Sequence, residues 1–254
     1  MPATQENELS MLVYAPALVG EDGRPVAVVQ AMERALPGLR LGWTISNEGQ
    51  FIPLPQRNGW VAAGRPEEGG FPLVCNGNES FLVSLSGMET SAVSSPGGQA
   101  QLEVHAALPL TADAVAAAAD VLEAVAEGAR AFWGHVTPFS ASVDIARQTQ
   151  NPELAPEAPP RGLPTLKISW EIPSPELPHR LGWLNYWSAA AARSLGFPDP
   201  SRDAGLLSRA RRTATGGWVV RLTDAPLDLD NPAHLEALVR AYERFPEIGG
   251  RVAG

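Results

Sequence analysis

The chain has a single cysteine, Cys75, among its 254 residues. No intramolecular disulfide can form, and no multi-cysteine zinc site can be built. That economy fits a reducing compartment. Lysine is equally scarce, Lys167 being the only one, so arginine supplies nearly all the positive charge. No apolar run reaches the roughly 20 residues that a membrane-spanning helix needs. The start of the chain has Glu6 and Glu8 but no basic residue, and the apolar stretch after it is broken by Pro16. A secretory leader needs a basic start and an unbroken apolar core. A cytoplasmic protein is therefore expected.

Catalytic signatures are missing as well. No Gly-x-Gly-x-x-Gly follows a strand, and there is no phosphate-binding Gly-Lys-Ser/Thr loop. No serine sits in a Gly-x-Ser-x-Gly elbow, and no helix carries His-Glu-x-x-His. The four histidines, His105, His135, His179 and His234, fall in separate segments without ligand spacing. No catalytic, cofactor-binding or metal-binding residue is therefore assigned, no cofactor is expected, and the chain reads as a non-enzyme. Partner-binding residues cannot be named from the sequence, nor can the oligomeric state.

What is present is an ordinary globular balance, with 44% hydrophobic and 19% charged residues. A chain of this size buries enough surface to fold without a metal or a crosslink. The net charge of −9 disfavours nucleic acid and anionic membranes, both polyanions, and favours a basic partner.

Residues 11–15 read as a first strand. A helix is expected over 24–36, with Pro25 in its first turn and Pro37-Gly38 ending it. Strands follow at 41–45, 71–75 and 78–86, the last two flanking Asn76-Gly77. That dipeptide takes positive φ at both centres of a tight hairpin. Residues 51–70 read as loops. Residues 101–108 alternate, with Leu102, Val104 and Ala106 inward and Gln101, Glu103 and His105 outward. Thr111 caps a long helix expected to run to Trp133, with Val115, Ala118, Leu122, Val125 and Ala129 on its buried stripe.

Residues 151–164 contain five prolines, Pro152, Pro156, Pro159, Pro160 and Pro164. They read as a linker or long surface loop between an N-terminal half (1–150) and a C-terminal half (165–254). The halves form two small domains or one continuous domain. Thr165 to Ile172 alternates strictly and reads as a half-buried strand. Helices are expected over 183–195 and from Ser201 to about Arg212, a strand over 217–223, and a last helix from Asn231. The whole is expected to be α+β, an antiparallel or mixed sheet with helices packed mainly on one face.

Several residues are candidates for chemistry and have plainer readings too. Cys75 is either a nucleophile or a small buried side chain. Glu103 with His105 is either an acid–base pair or a solvated strand face. Arg202, Arg209, Arg211 and Arg212 would grip an anion or line a wet helix face. Asp224, Asp228 and Asp230 would hold a cation or shape turns. Of the seven tryptophans, Trp170, Trp187 and Trp218 fall on expected core stripes.

The most distinctive text lies late in the chain. It reads Leu181-Gly182-Trp183-Leu184-Asn185-Tyr186-Trp187, then Gly216-Gly217-Trp218-Val219-Val220-Arg221-Leu222-Thr223. It closes Ala241-Tyr242-Glu243-Arg244-Phe245-Pro246-Glu247-Ile248-Gly249-Gly250-Arg251. This resembles a family of uncharacterised bacterial proteins carrying a domain of unknown function. More distantly, it is similar to the immunity protein 52 and type VI secretion immunity families of polymorphic toxin systems. The resemblance implies an immunity protein that binds and neutralises a cognate toxin in the cytosol, but it transfers no site residue. The alternatives are a non-catalytic scaffold or accessory subunit, docking through the strand face around Lys167 and Glu171, and an unfamiliar hydrolase using Cys75, Asp144 or a histidine.

Overall fold

The structure is a computed structural model that describes residues 7–63, 69–150 and 158–251. In chain order its elements are β1 (Glu8–Pro16), α1 (Arg24–Ala35), β2 (Trp43–Ile45), β3 (Phe51–Pro53), α2 (Arg57–Ala63), β4 (Phe71–Cys75), β5 (Ser84–Thr90), β6 (Gln101–Pro109), α3 (Ala112–Ala129), β7 (Trp133–Pro138), α4 (Phe139–Ala146), β8 (Leu184–Trp187), α5 (Ala189–Ser194), α6 (Ala204–Leu207), β9 (Ala210–Arg212), β10 (Trp218–Arg221) and α7 (Pro232–Arg244). The strands form one ten-stranded sheet in the order β3-β2-β4-β5-β6-β1-β7-β8-β10-β9. Every pairing is antiparallel. The fold is α+β, as the hairpin signals and alternating strands imply.

β1 lies inside the sheet, between β6 and β7. Its alternation decides the two faces, because residues opposed across an antiparallel pair point to the same side. Leu9, Met11, Val13 and Ala15 point one way and are fully buried. Their neighbours on that side are Leu102, Val104, Ala106 and Leu108 of β6, with Gly134 and Val136 of β7. This is the side covered by α1 and α3, which pack against each other. Thr111 Oγ1 accepts the Ala114 amide at 3.4 Å and caps α3. Arg24 lashes the start of α1 to the end of β1, donating to the carbonyls of Pro16 and Ala17, each at 2.8 Å.

The opposite face carries Leu12 and Tyr14 of β1, Gln101, Glu103 and His105 of β6, and Trp133, His135 and Thr137 of β7. In the same rows lie Asn185 and Trp187 of β8, then Trp218 and Val220 of β10. Over β8 and β10 this face is closed by Phe197 and Phe245, the latter at the end of α7. Over β5 and β6 it stays partly open, with Met88 exposed and Ser86, His105 and Ala107 half-buried. β7 pairs with β8, so the segments before and after the proline-rich stretch contribute to a single sheet. Residues 151–157 of that stretch lie outside the described residues.

Several local expectations are corrected. The Asn76-Gly77 hairpin exists, but only Gly77 has positive φ, and β5 begins at Ser84. Asn76 instead organises a longer connection, accepting the amides of Asn78 and Val83 and donating to the Phe81 carbonyl. A Cβ on Gly77 would stand 2.7 Å from the Trp43 ring, so glycine is required there for two reasons. Residues 51–53 and 57–63 are a strand and a helix rather than loops. The long helix stops at Ala129 because Arg130 turns left-handed, with φ of 55°, and Trp133 enters β7. The expected helix over 183–195 is β8 followed by the short α5. The expected helix from Ser201 is the single turn α6, followed by β9. Thr165 to Ile172 is no strand: it makes one isolated bridge, Leu166 with Thr149, and then a 3-10 turn over Ser169–Glu171. Trp170 is consequently exposed rather than in the core.

Candidate functional site

The residues weighed for chemistry from the sequence fall in different places. Cys75 ends β4 with Trp43 and Ser84 beside it, and burial pushes its thiol above the usual range. A raised thiol is a poor nucleophile at neutral pH. Strand alternation splits the arginines. Arg211 points to the α3 side and bonds Asp120 at 2.5 Å and Glu123 at 2.6 Å, while Arg212 points to the other face. Arg202 and Arg209, with Arg240 and Arg244 of α7, line a concavity of about 290 Å³. Asp228 and Asp230 shape a turn, Asp228 Oδ1 accepting the Asp230 amide at 2.9 Å, and Asp230 also meets Arg161. Asp144 pairs with the same Arg161 at 2.6 Å. His234 accepts the Asp228 amide at the start of α7. Among the described residues no three histidine, cysteine or carboxylate side chains gather to hold a metal ion.

The sheet face opposite α3 does bring candidates together. On β6, Glu103 and His105 sit in neighbouring outward positions. His105 Nε2 stands 3.5 Å from Glu103 Oε2, and Thr90 Oγ1 donates to Glu103 Oε1 at 2.8 Å. Burial alone would raise the Glu103 carboxyl, but His105 and Thr90 outweigh it and hold it below its ordinary value. Tyr14 of β1 lies directly opposite Glu103 on one side and Trp133 on the other. Its ring stacks on Trp133 with centroids 4.1 Å apart. Burial pushes its phenol up to about 12, so it stays protonated. His135 follows Trp133 on the same face, ring to ring at 6.3 Å.

The segment that follows the proline-rich stretch crosses this face, from Pro173 beside Gly97 to Gly182 beside His135 and Thr137, and carries His179 and Arg180. The charge of Arg180 acts on Tyr14, Glu103, His135 and His179, and its Nη2 stands 3.5 Å from His179 Nδ1. His179 is pinned by Nε2 to the Lys167 carbonyl at 2.8 Å and to Thr149 Oγ1 at 3.3 Å. The alternation of β6 is enough to place Glu103 and His105 on one strand face, but no local pattern marks the others. Trp133 and His135 lay in and beyond an expected helix, and Arg180 carried no local signal.

His135 gives this region a testable acid dependence. Burial first, then the charges of Arg180, His179 and His105, lower its pKa to about 3. In the unfolded chain the imidazole protonates near 6.5. Between those values the unfolded chain holds the extra proton, so stability is full above the upper value and is lost as pH falls through the window. His179, lowered to about 4 mainly by burial, acts in the same direction. Urea midpoints measured at about pH 7 and about pH 5 should differ, the acid one being lower. His135→Gln should reduce that difference, and an unchanged difference would mean that His135 is solvated.

Elsewhere, Trp60 and Phe81 are exposed and Trp43 partly so, at the β3 end of the sheet, and Trp170 is exposed on the crossing segment. No described helix is long and apolar enough to cross a membrane.

A family model described as a domain of unknown function, DUF5953, matches residues 20–253. No curated protein matches the chain. A solved structure described as Pseudomonas aeruginosa T6SS protein PA0821 is similar over 93% of this chain and 72% of its own, with 17% identity and a TM-score of 0.50. At that identity the likeness concerns the fold.

Proposed function

From the premise that the chain belongs to the DUF5953 family of domains of unknown function, we propose that it is an immunity protein of a type VI secretion system, binding a cognate toxin in the cytoplasm. The observation that carries this reading is the fold shared with a T6SS protein across nearly the whole chain. Three further features support it. Trp43, Trp60 and Phe81 stand exposed at one end of the sheet, and aromatic side chains of this kind are the usual anchors of a protein interface. The net charge of −9 steers a basic partner toward the molecule. The resemblance of the 181–251 text to immunity families points the same way. In this role the protein acts by covering the toxin and performs no chemistry of its own.

The strand face around Lys167 and Glu171, on which a scaffold role would have relied, is an irregular segment. Immunity is therefore the reading we keep. Expression of the neighbouring open reading frame in a susceptible host should arrest growth. Co-expression of this protein should restore growth and yield a complex that survives gel filtration. A harmless neighbour, or toxicity that persists beside abundant soluble protein, would remove the reading.

A further inference from the structure

Basic residues are few enough in this acidic chain for their placement to matter. Four of the 19, Arg202, Arg209, Arg240 and Arg244, line one hollow of about 290 Å³. Among the described residues no aspartate or glutamate lines it. Arg202 and Arg209 flank the single turn of α6, and Arg240 and Arg244 stand one turn apart on α7. Like charges at that spacing destabilise a helix. The arginines surround an apolar floor, for Leu222 and Ala241 are buried and Leu206 packs against the core.

The four guanidinium groups differ in how firmly they are held. Arg244 is fixed, its Nε and Nη2 donating to the wholly buried Asp203 carboxylate, while its Nη1 has no hydrogen bond among the described residues. Arg202 makes no side-chain hydrogen bond or ion pair among the described residues, and its charge acts on Asp199 from a distance. Arg209 meets Asp224 only at 4.0 Å, and that carboxylate is 88% exposed. Arg240 pairs with Glu236 at 3.0 Å, with both side chains well exposed. Exposed pairs of this kind hold weakly. Three cations are thus open to a guest, and a fourth is held in place by a buried carboxylate. The neighbouring hollow provides a contrast. It shares Arg209 and adds Arg211 and Arg221, but Asp224 lines it too, and Arg211 is already bonded to Asp120 and Glu123.

A guanidinium group recognises an oxyanion through paired N–H donors. Several around one hollow suit a guest with two negative charges spread over several oxygens. The floor suits an apolar body, and the volume, at the lower end for ligand pockets, requires a small one. We propose that the hollow between α6 and α7 binds a small organic dianion, a phosphate monoester or a dicarboxylate. Its oxygens meet Arg202, Arg209, Arg240 and Arg244, and its apolar part rests on Leu206, Leu222 and Ala241. The net charge of −9 opposes any diffuse attraction of anions, so the recognition is local. The site stands whether or not the chain neutralises a toxin.

The test is a calorimetric titration of the purified protein with phenyl phosphate, phthalate and inorganic phosphate. Salt at about 0.15 M screens distant charges. The Gly205 amide resonance reports the location, since Gly205 lines the hollow. Saturable binding of phenyl phosphate or phthalate is expected, and inorganic phosphate, without an apolar body, should bind more weakly. Arg202→Gln and Arg209→Gln should each weaken binding about tenfold, the loss of one charged hydrogen bond. Both side chains are exposed, so the fold should tolerate either change. Arg34→Gln, at an exposed position on α1, removes the same charge outside the hollow and should leave the affinity unchanged. Binding of phenyl phosphate alone assigns a phosphoryl group, and binding of phthalate alone assigns a dicarboxylate. The proposal is overturned if none of the three saturates, or if inorganic phosphate binds as tightly as the organic anions. It is overturned equally if Arg34→Gln weakens binding as much as Arg202→Gln does, or if the Gly205 resonance stays still.

Discussion

Trp187→Ala should lower the unfolding free energy by about 3–5 kcal/mol, the usual cost of removing a buried large aromatic side chain. Trp187 is fully buried. The rings of Phe197 and Phe245 meet it edge-on, each with centroids 5.1 Å away. Trp133 opposes it on β7 and Trp218 on β10. Phe197 in turn meets Trp218 at 5.3 Å, so one aromatic cluster ties three strands to the end of α7. Edge-to-face pairs add about 0.5–1.5 kcal/mol beyond the area they bury. A domain holds only about 5–15 kcal/mol in total, so the loss is roughly a fifth of the stability or more. Urea unfolding followed by circular dichroism measures it. A change below about 1 kcal/mol, the range of an ordinary surface site, would show that the ring is not packed as described.

Arg244→Ala should cost a similar amount for a different reason. Arg244 Nε and Nη2 donate to the two carboxylate oxygens of Asp203 at 2.6 and 3.0 Å. The Asp203 side chain is wholly buried, and its Oδ2 also accepts the Asp199 amide at 2.7 Å. Arg244 further donates to the Gly196 carbonyl at 3.0 Å and lies over the Phe245 ring at 4.6 Å. Removing it strands a buried carboxylate, and breaking such a pair from one side costs about 3–5 kcal/mol. Replacing both members should cost less than removing Arg244 alone, because no unpaired charge then remains. Thus Asp203→Asn combined with Arg244→Met should recover part of the urea midpoint. A double variant worse than the single one would argue that packing, not charge, sets the effect.

The parts of the fold that were legible in the sequence are those whose signals are local. The periodic stripe of α3, the Pro25 start of α1, the Asn231 cap of α7 and the alternation of β6 all lie near their expected places. The failures have specific causes. The end of α3 is set by Arg130 in a left-handed conformation that glycine usually marks, so no sequence signal stopped the helix before Trp133. Leu184 to Trp187 reads as part of an apolar helix, but all four residues are buried in a strand between two others. Such a strand shows no alternation to read. In residues 165–172 the alternation is real and still misleads. Leu166, Ile168 and Ile172 are buried, yet Leu166 donates to the Gln148 carbonyl and Lys167 to that of Gly249. The pattern reports which side chains face the core, and an extended segment laid on a core satisfies it without a neighbouring strand. The candidate site failed for the same reason at larger scale. Tyr14, Glu103, His105, Trp133 and His135 come from three strands, and only pairing register brings them to one face.

The position of β1 has a consequence for how the molecule is made. β1 precedes both of its neighbours in the chain, yet it binds Gln101–Pro109 on one edge and Trp133–Pro138 on the other. During synthesis its Leu9, Met11, Val13 and Ala15 row emerges long before β6, α3 and β7 are made to enclose it. Pairings this distant in sequence slow folding, because the intervening chain must be closed before any contact is gained. Two unpaired edges on an apolar strand are also a template for wrong partners in the meantime. The nascent chain is therefore most vulnerable to aggregation, and most dependent on chaperones, until the ribosome has passed Pro138.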